Sequence, residues 1–143
     1  MGLNDQTDRS SPIQVGTNTT WAADQIKNGG GKYSVGAIKT DGTLWTWGNN
    51  GDGRLGHNGG PHYSSPKKVG TNTNWRSIGW AEEAAMASKT DGTLWAWGHN
   101  QHGELGQNNR TDYSSPKQVT AFNFAGPISG RQNGFQITTR ETA

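Results

Sequence analysis

The sequence predicts an all-β protein made of β-propeller blades, each a four-stranded antiparallel sheet, and fewer than three of them. Three observations carry the prediction. Long segments recur at a spacing near 50 residues. The best-repeated segment reads as a β-hairpin. No stretch has helical periodicity, and glycine, 22 of 143 residues, interrupts the chain throughout.

The period is explicit. Ser10-Ser11-Pro12 recurs as Ser64-Ser65-Pro66 and as Ser114-Ser115-Pro116, at spacings of 54 and 50. Residues 40–58 match 90–108 at 13 of 19 positions, and 10–21 match 64–75 at 9 of 12. The chain therefore divides as one repeat domain, 1–143, with repeats at 10–63 and 64–113 and a partial third at 114–143.

Each repeat reads as four strands. In the second they fall at 66–69 (Pro-x-x-Val), 75–79 (opening at a Trp), 86–90 (running into Lys-Thr) and 93–97 (Thr-Leu-Trp-x-Trp). Asp91-Gly92 separates the last two and suits a type I′ turn, because glycine tolerates positive φ. Alternation places Trp45 and Trp47 on one face of their strand and Leu44 and Thr46 on the other. A sheet apolar on both faces must be sandwiched, and radial stacking of such sheets is a propeller. The third repeat keeps its Ser-Ser-Pro, a strand near Phe124 and Ile137-Thr138-Thr139, but has no second hairpin strand. At the other end, Gly2, Asn4, Thr7 and Asp8 align with Gly106, Asn108, Thr111 and Asp112. Eleven strands, about two and three-quarter blades, are expected. The first and last sheets would then need covering by other copies, another protein of an assembly or the remainder of a longer chain.

Composition removes several function classes. With no cysteine there is no disulfide framework, thiolate metal site or cysteine nucleophile. No apolar run is long enough for a membrane helix, and the N-terminus has no signal-peptide pattern. Thirteen Lys and Arg against eleven Asp and Glu give +2 with both signs scattered, so nucleic-acid binding is not expected. Aliphatics are scarce, and the seven Trp carry much of the burying capacity.

The pattern Ser-Ser-Pro-x-x-Val-Gly-Thr, then Lys-Thr-Asp-Gly-Thr-Leu-Trp-x-Trp-Gly-x-Asn-x-x-Gly-x-Leu-Gly-x-Asn, resembles the repeat of the regulator of chromosome condensation family. The resemblance implies propeller blades, typically seven to a ring. It also implies a structural role for Trp21, Trp45, Trp47, Leu55, Trp75, Trp95, Trp97 and Leu105. The Tyr-Ser-Ser-Pro variant at Tyr63 and Tyr113 resembles bacterial and bacteriophage repeats. The founding member's nucleotide exchange and chromatin binding reside on loops that this motif does not carry.

Candidate chemistry is sparse. His99-x-x-His102 and the pair His57 and His62 invite a metal reading. Their counterparts in the other repeat are Asn49, Asp52, Gln107 and Asp112, so solvated loop residues and no metal are expected. Asn49-Asn50-Gly51-Asp52-Gly53 resembles a calcium loop but lacks its twelfth-position Glu, and reads as a turn in which Gly53 and Gly103 take positive φ. Gly29-Gly30-Gly31-Lys32 lacks the phosphate-loop frame. No catalytic serine elbow or acid–base pair is recognisable, so no enzyme and no cofactor are expected.

The connection between the second and third strands differs most between copies. It reads Lys27-Asn28-Gly29-Gly30-Gly31-Lys32-Tyr33, then Trp80-Ala81-Glu82-Glu83, then Gly130-Arg131-Gln132-Asn133-Gly134. Partner-binding candidates are therefore Trp80, as anchor, with Glu82, Glu83, Lys32, Tyr33 and Arg131. The expected function is a non-enzymatic structural or interaction module, an oligomer or part of a larger assembly, completed by other proteins or copies of itself. The bacteriophage-type repeat implies a virion component (decoration, neck or tail fibre), or otherwise a cytoplasmic protein. The alternatives are a glycan- or peptide-recognition module and an exchange factor or signalling adaptor like the family founder.

Overall fold

A computed structural model describes residues 2–22, 30–123, 128–131 and 134–137, with side chains over 2–22 and 31–120. Expectations for Lys27, Asn28, Gly29, Phe124, Gln132, Asn133, Thr138 and Thr139 lie outside the described residues.

The described residues form two four-stranded antiparallel sheets and one two-stranded sheet. The first contains β1 (Gly30–Gly31), β2 (Ser34–Ile38), β3 (Leu44–Gly48) and β4 (Tyr63–Lys68), in that order. The second contains β5 (Trp75–Trp80), β6 (Ala84–Lys89), β7 (Thr93–Gly98) and β8 (Tyr113–Asn123). β9 (Ile128–Arg131) pairs with β10 (Gly134–Ile137). Trp21 bridges Lys39 as Trp75 pairs with Lys89, so the first sheet repeats the second around its interruption. Ile128 opposite Ile137 likewise repeats Ile78 opposite Ala87. These are propeller blades, and the chain is a partial propeller.

The sheets cut the sequence repeat differently from the expected division. The Tyr-Ser-Ser-Pro strand does not open its own blade. β4 pairs with β3, and β8 with β7, so each completes the preceding sheet as its outer edge. The physical reason is the hairpin, whose Thr-Leu-Trp-x-Trp strand offers a free edge to the next extended segment. Residues 12–15, the first repeat's version of that segment, lie outside any strand. The strand that opens at Trp75 is innermost, with β5 packed against β2 on one side and β9 on the other.

The hairpin turns also differ from expectation. Gly42 and Gly92 take φ of 78° and 83°, but Asp41 and Asp91 do not take positive φ. A type I′ turn needs two such residues. Instead Gly42 N–H donates to Lys39 O at 2.9 Å and Gly92 N–H to Lys89 O at 3.1 Å. The loop is a turn closed by one left-handed glycine. Asp91 Oδ1 fixes it by accepting from Thr93 N–H at 2.9 Å and Thr93 Oγ1 at 2.6 Å. Thr93 Oγ1 in turn accepts from Trp95 Nε1 at 2.9 Å. Asp41, Thr43 and Trp45 repeat this relay. The preceding lysine completes the motif, with Lys89 Nζ 3.9 Å from the Trp95 ring centroid and 4.7 Å from that of Trp75. Lys39 sits likewise against Trp45 and Trp21. Burial among these rings lowers the Lys89 pKa from its ordinary value. Each residue of Lys-Thr-Asp-Gly-Thr-Leu-Trp other than the first Thr and Leu therefore has a stated polar, ring or turn role.

The main core lies between the two blades. Trp75, Ile78, Trp80 and Trp97 of the second pack against Ile38, Leu44, Leu55 and Val69 of the first. The far face of the second blade carries Met86, Leu94, Ala96, Leu105 and Val119. Alternation of the Trp and Leu positions thus makes each blade two-faced, one face for each neighbour.

Candidate functional site

The segments that differ between repeats converge on one face. Lys32 N–H donates to Glu82 O at 3.0 Å, and Lys32 Nζ pairs with Glu82 Oε1 at 3.0 Å. That ion pair raises the Lys32 pKa. Glu83 Oε1 lies 3.3 Å from the Arg54 guanidinium, which also pairs with Asp52 at 3.2 Å and donates to Lys32 O at 3.3 Å. Both blades are tied here through Arg54, whose side chain is only 6% exposed. Sequence reading missed Arg54. Its signal was the charge reversal at the matching position, Glu104.

Tyr33 is 69% exposed and holds φ of 65°, a left-handed conformation uncommon for a bulky residue. Its carbonyl accepts from Asn49 N–H at 2.8 Å. Arg131 ends β9, its backbone opposite Gly134. Trp80 is 2% exposed, so its ring lies between the blades and away from solvent. Its ring lies against glycines of the first blade, where a Cβ on Gly36 would come within 3.1 Å and one on Gly31 within 3.3 Å. Gly31 and Gly36 therefore seat the neighbouring blade, with Gly31 also approached by Ala81 O.

Below this face each repeat makes the same tight turn. Asn50 and Asn100 are buried, and each Oδ1 accepts from the Leu N–H five residues on, Leu55 or Leu105, at 3.0 Å. Their amide groups donate to the returning loop, Gly59 and Gly60 O in one case and Asn109 and Thr111 O in the other. Gly53 and Gly103 take the expected positive φ. In the first turn, 3-10 in form over Gly51–Gly53, Arg54 occupies the interior. In the second, Glu104 accepts from His99 Nδ1 at 2.7 Å and from His102 N–H at 2.8 Å. His99, His102 and Glu104 offer donor atoms all within 4.8 Å of one another. The fold thus brings a carboxylate to the two loop imidazoles. The Glu104 hydrogen bond and charge raise the His99 pKa.

The two blades differ in how their Trp faces are covered. Trp97 Nε1 donates to Arg54 O at 2.9 Å, and Gly56 packs on its ring. On the first blade Gly2 lies against both Trp47 and Val15, and Asn4 N–H donates to Ser64 O at 3.0 Å as Asn58 does to Ser114 O at 2.7 Å. Trp47 Nε1 is nevertheless buried without a hydrogen-bond partner among the described residues. Beside it opens a cleft of about 510 Å³ lined by Asp5, Asp8, Tyr33, Trp47, His62 and Tyr63 among others.

Four-stranded blades stacked face to face on a Trp–Leu interface define a propeller-repeat protein. The regulator of chromosome condensation (RCC1) repeat model matches residues 41–81 and 91–130, and the chain belongs to that family. Among solved structures it is similar to Prp20p from Saccharomyces cerevisiae, with a TM-score of 0.63 and 15% identity over 78% of this chain and 30% of that one. Human WBSCR16 gives 0.57 and 22% over 69% and 26%. Yeast RCC1 (Prp20), with Kap60 bound, gives 0.54 and 19% over 71% and 27%. The chain thus spans under a third of the length of each. No curated protein sequence matches. Among the described residues no helix is long and apolar enough to cross a membrane.

Proposed function

We propose that the protein is a non-enzymatic interaction module whose open blade faces are completed by further blades, from a partner chain, from other copies or from a continuation of the same chain. The observation that carries this is the cleft of about 510 Å³ beside Trp47, whose Nε1, like those of Trp75 and Trp80, has no hydrogen-bond partner among the described residues. On the next blade the equivalent nitrogen is capped by a neighbour's Arg54 carbonyl. A buried indole N–H without an acceptor is costly, and a turn like Asn50-to-Leu55 on an adjoining blade supplies one. The bacteriophage-type Tyr-Ser-Ser-Pro repeats support a virion component as the setting, with the cytoplasm as the other location. Sedimentation equilibrium of the purified chain tests the reading. A mass that is a multiple of 15.4 kDa, or a stable complex with a host-particle protein, supports it. A stable 15.4 kDa monomer that captures no partner overturns it.

A second reading, glycan or peptide recognition, is favoured by Tyr33, exposed at the rim of a cleft that also holds Tyr63 and acidic groups. Glycan-array and peptide-array binding by the intact protein tests it. The structural work on Prp20p concerns its binding to Gsp1p and histones. An exchange-factor or adaptor role by analogy is the third reading, and a small-GTPase nucleotide-exchange assay decides it.

A further inference from the structure

We propose that His99, His102 and Glu104 form a site for one divalent transition-metal ion of the Zn²⁺ type. Two imidazoles and a carboxylate, leaving a fourth position to water, are a donor set that suits Zn²⁺. Their donor atoms already lie within 4.8 Å of one another. Bonds of about 2.0–2.2 Å need only small side-chain rotations to close on one ion. The site is held before any ion arrives. Asn100 is fully buried and staples the turn through Leu105 N–H, Asn109 O and Thr111 O. Glu104 Oε2 is fixed by His102 N–H, which leaves Oε1 directed at the His99 ring. An ion entering between Glu104 Oε1 and His99 takes the Nδ1 lone pair, so that a neutral ring carries its one proton on Nε2 and a protonated ring releases one proton to solvent.

The first repeat is an internal control. The same turn there carries Asn49, Asp52 and Arg54, and the Arg54 guanidinium fills the position as a built-in cation paired with Asp52 and Glu83. Where one repeat supplies its own positive charge, the other presents three ligands. The site lies against the variable face, since His99 N–H donates to Glu83 O at 3.1 Å. A metal there stiffens the turn next to the residues offered for partner contact.

Isothermal titration of chelator-treated full-length protein with ZnCl₂ tests the proposal, alongside His102→Asn and Glu104→Gln. The expected result is one Zn²⁺ per chain, with affinity at least tenfold weaker in each variant. His102 is exposed and its ring makes no hydrogen bond among the described residues, so His102→Asn leaves the fold intact. Chemical-shift mapping should place the perturbed imidazoles at 99 and 102. No binding below millimolar Zn²⁺, unchanged affinity in both variants, or perturbation centred on His57 or His62 would overturn it.

Discussion

Trp97 Nε1 donates a 2.9 Å hydrogen bond to the carbonyl of Arg54, a residue of the preceding blade. The bond joins the most buried aromatic to the turn that seats it, within the main inter-blade core. Trp47 occupies the same place on the first blade with no acceptor among the described residues. Replacing either Trp by Phe removes similar bulk, but only one replacement strands a carbonyl. Trp97→Phe should cost about 2 kcal/mol, and Trp47→Phe less than about 1 kcal/mol. Urea unfolding followed by circular dichroism measures both. Equal losses would mean that the indole bond does not hold the blades together.

The Asp91–Thr93–Trp95 relay predicts a graded pair. Asp91→Ala removes the acceptor for both Thr93 donors and should lower the urea midpoint. Asp91→Asn keeps an oxygen at that place and should lower it less. Both hydrogen bonds pull the Asp91 pKa below its ordinary value, so acid should weaken the turn in the parent and not in Asp91→Asn. Identical midpoints for the two variants would show that the turn needs only its glycine.

His57 gives a pH prediction with a fixed sign. Burial, with a smaller push from the Lys67 charge, lowers its pKa below the ordinary 6.5. The folded state therefore disfavours the charged ring. Above pH 6.5 the ring is neutral in both states and the folded protein keeps full stability from this group. As pH falls below 6.5 the unfolded chain takes up the proton first, and stability falls until the folded pKa is passed. His99 acts oppositely, because its pKa is raised: its contribution is present below 6.5 and lost as pH rises through the higher folded value. Melting temperatures from pH 5 to 8 should show His57→Gln flattening the acid loss and His99→Gln flattening the alkaline loss. The reverse pairing would contradict the geometry around both rings.

The repeat arithmetic made the blades legible, because period, hairpin and two-faced strands are local patterns. Pairing was not legible. Whether Pro66 belongs with the hairpin before or after it depends on which edge is free in space, and sequence order does not state that. The turn type was missed because Asp91 works through its carboxylate and not through positive φ. Arg54 and Glu104 were invisible as partners of Glu83 and His99, since those contacts arise only when loops from different parts of the chain meet. The burial of Trp80 was not legible for a related reason. Its lack of a repeat counterpart marked it as special, but what it complements is the pair Gly31 and Gly36 of the first blade.

That complementarity gives a last prediction, which separates core from surface among residues first grouped together. Trp80 is buried against Gly31 and Gly36, so Trp80→Ala leaves a cavity between blades and should cost about 3–5 kcal/mol. Gly36→Val should be damaging from the other side, because even a Cβ there falls 2.8 Å from Ile78 Cδ1 and 3.1 Å from the Trp80 ring. Tyr33 is the contrary case. Its ring is exposed and its φ of 65° suits Asn better than Tyr, so Tyr33→Asn should leave stability within about 0.5 kcal/mol of the parent or raise it. If the variable face binds a partner, Tyr33→Asn should weaken that binding while leaving the melt unchanged, and Trp80→Ala should impair it only in proportion to the unfolded fraction. A binding loss in Trp80→Ala at temperatures where the variant is fully folded, with none in Tyr33→Asn, would move the contact surface from the loops to the inter-blade core.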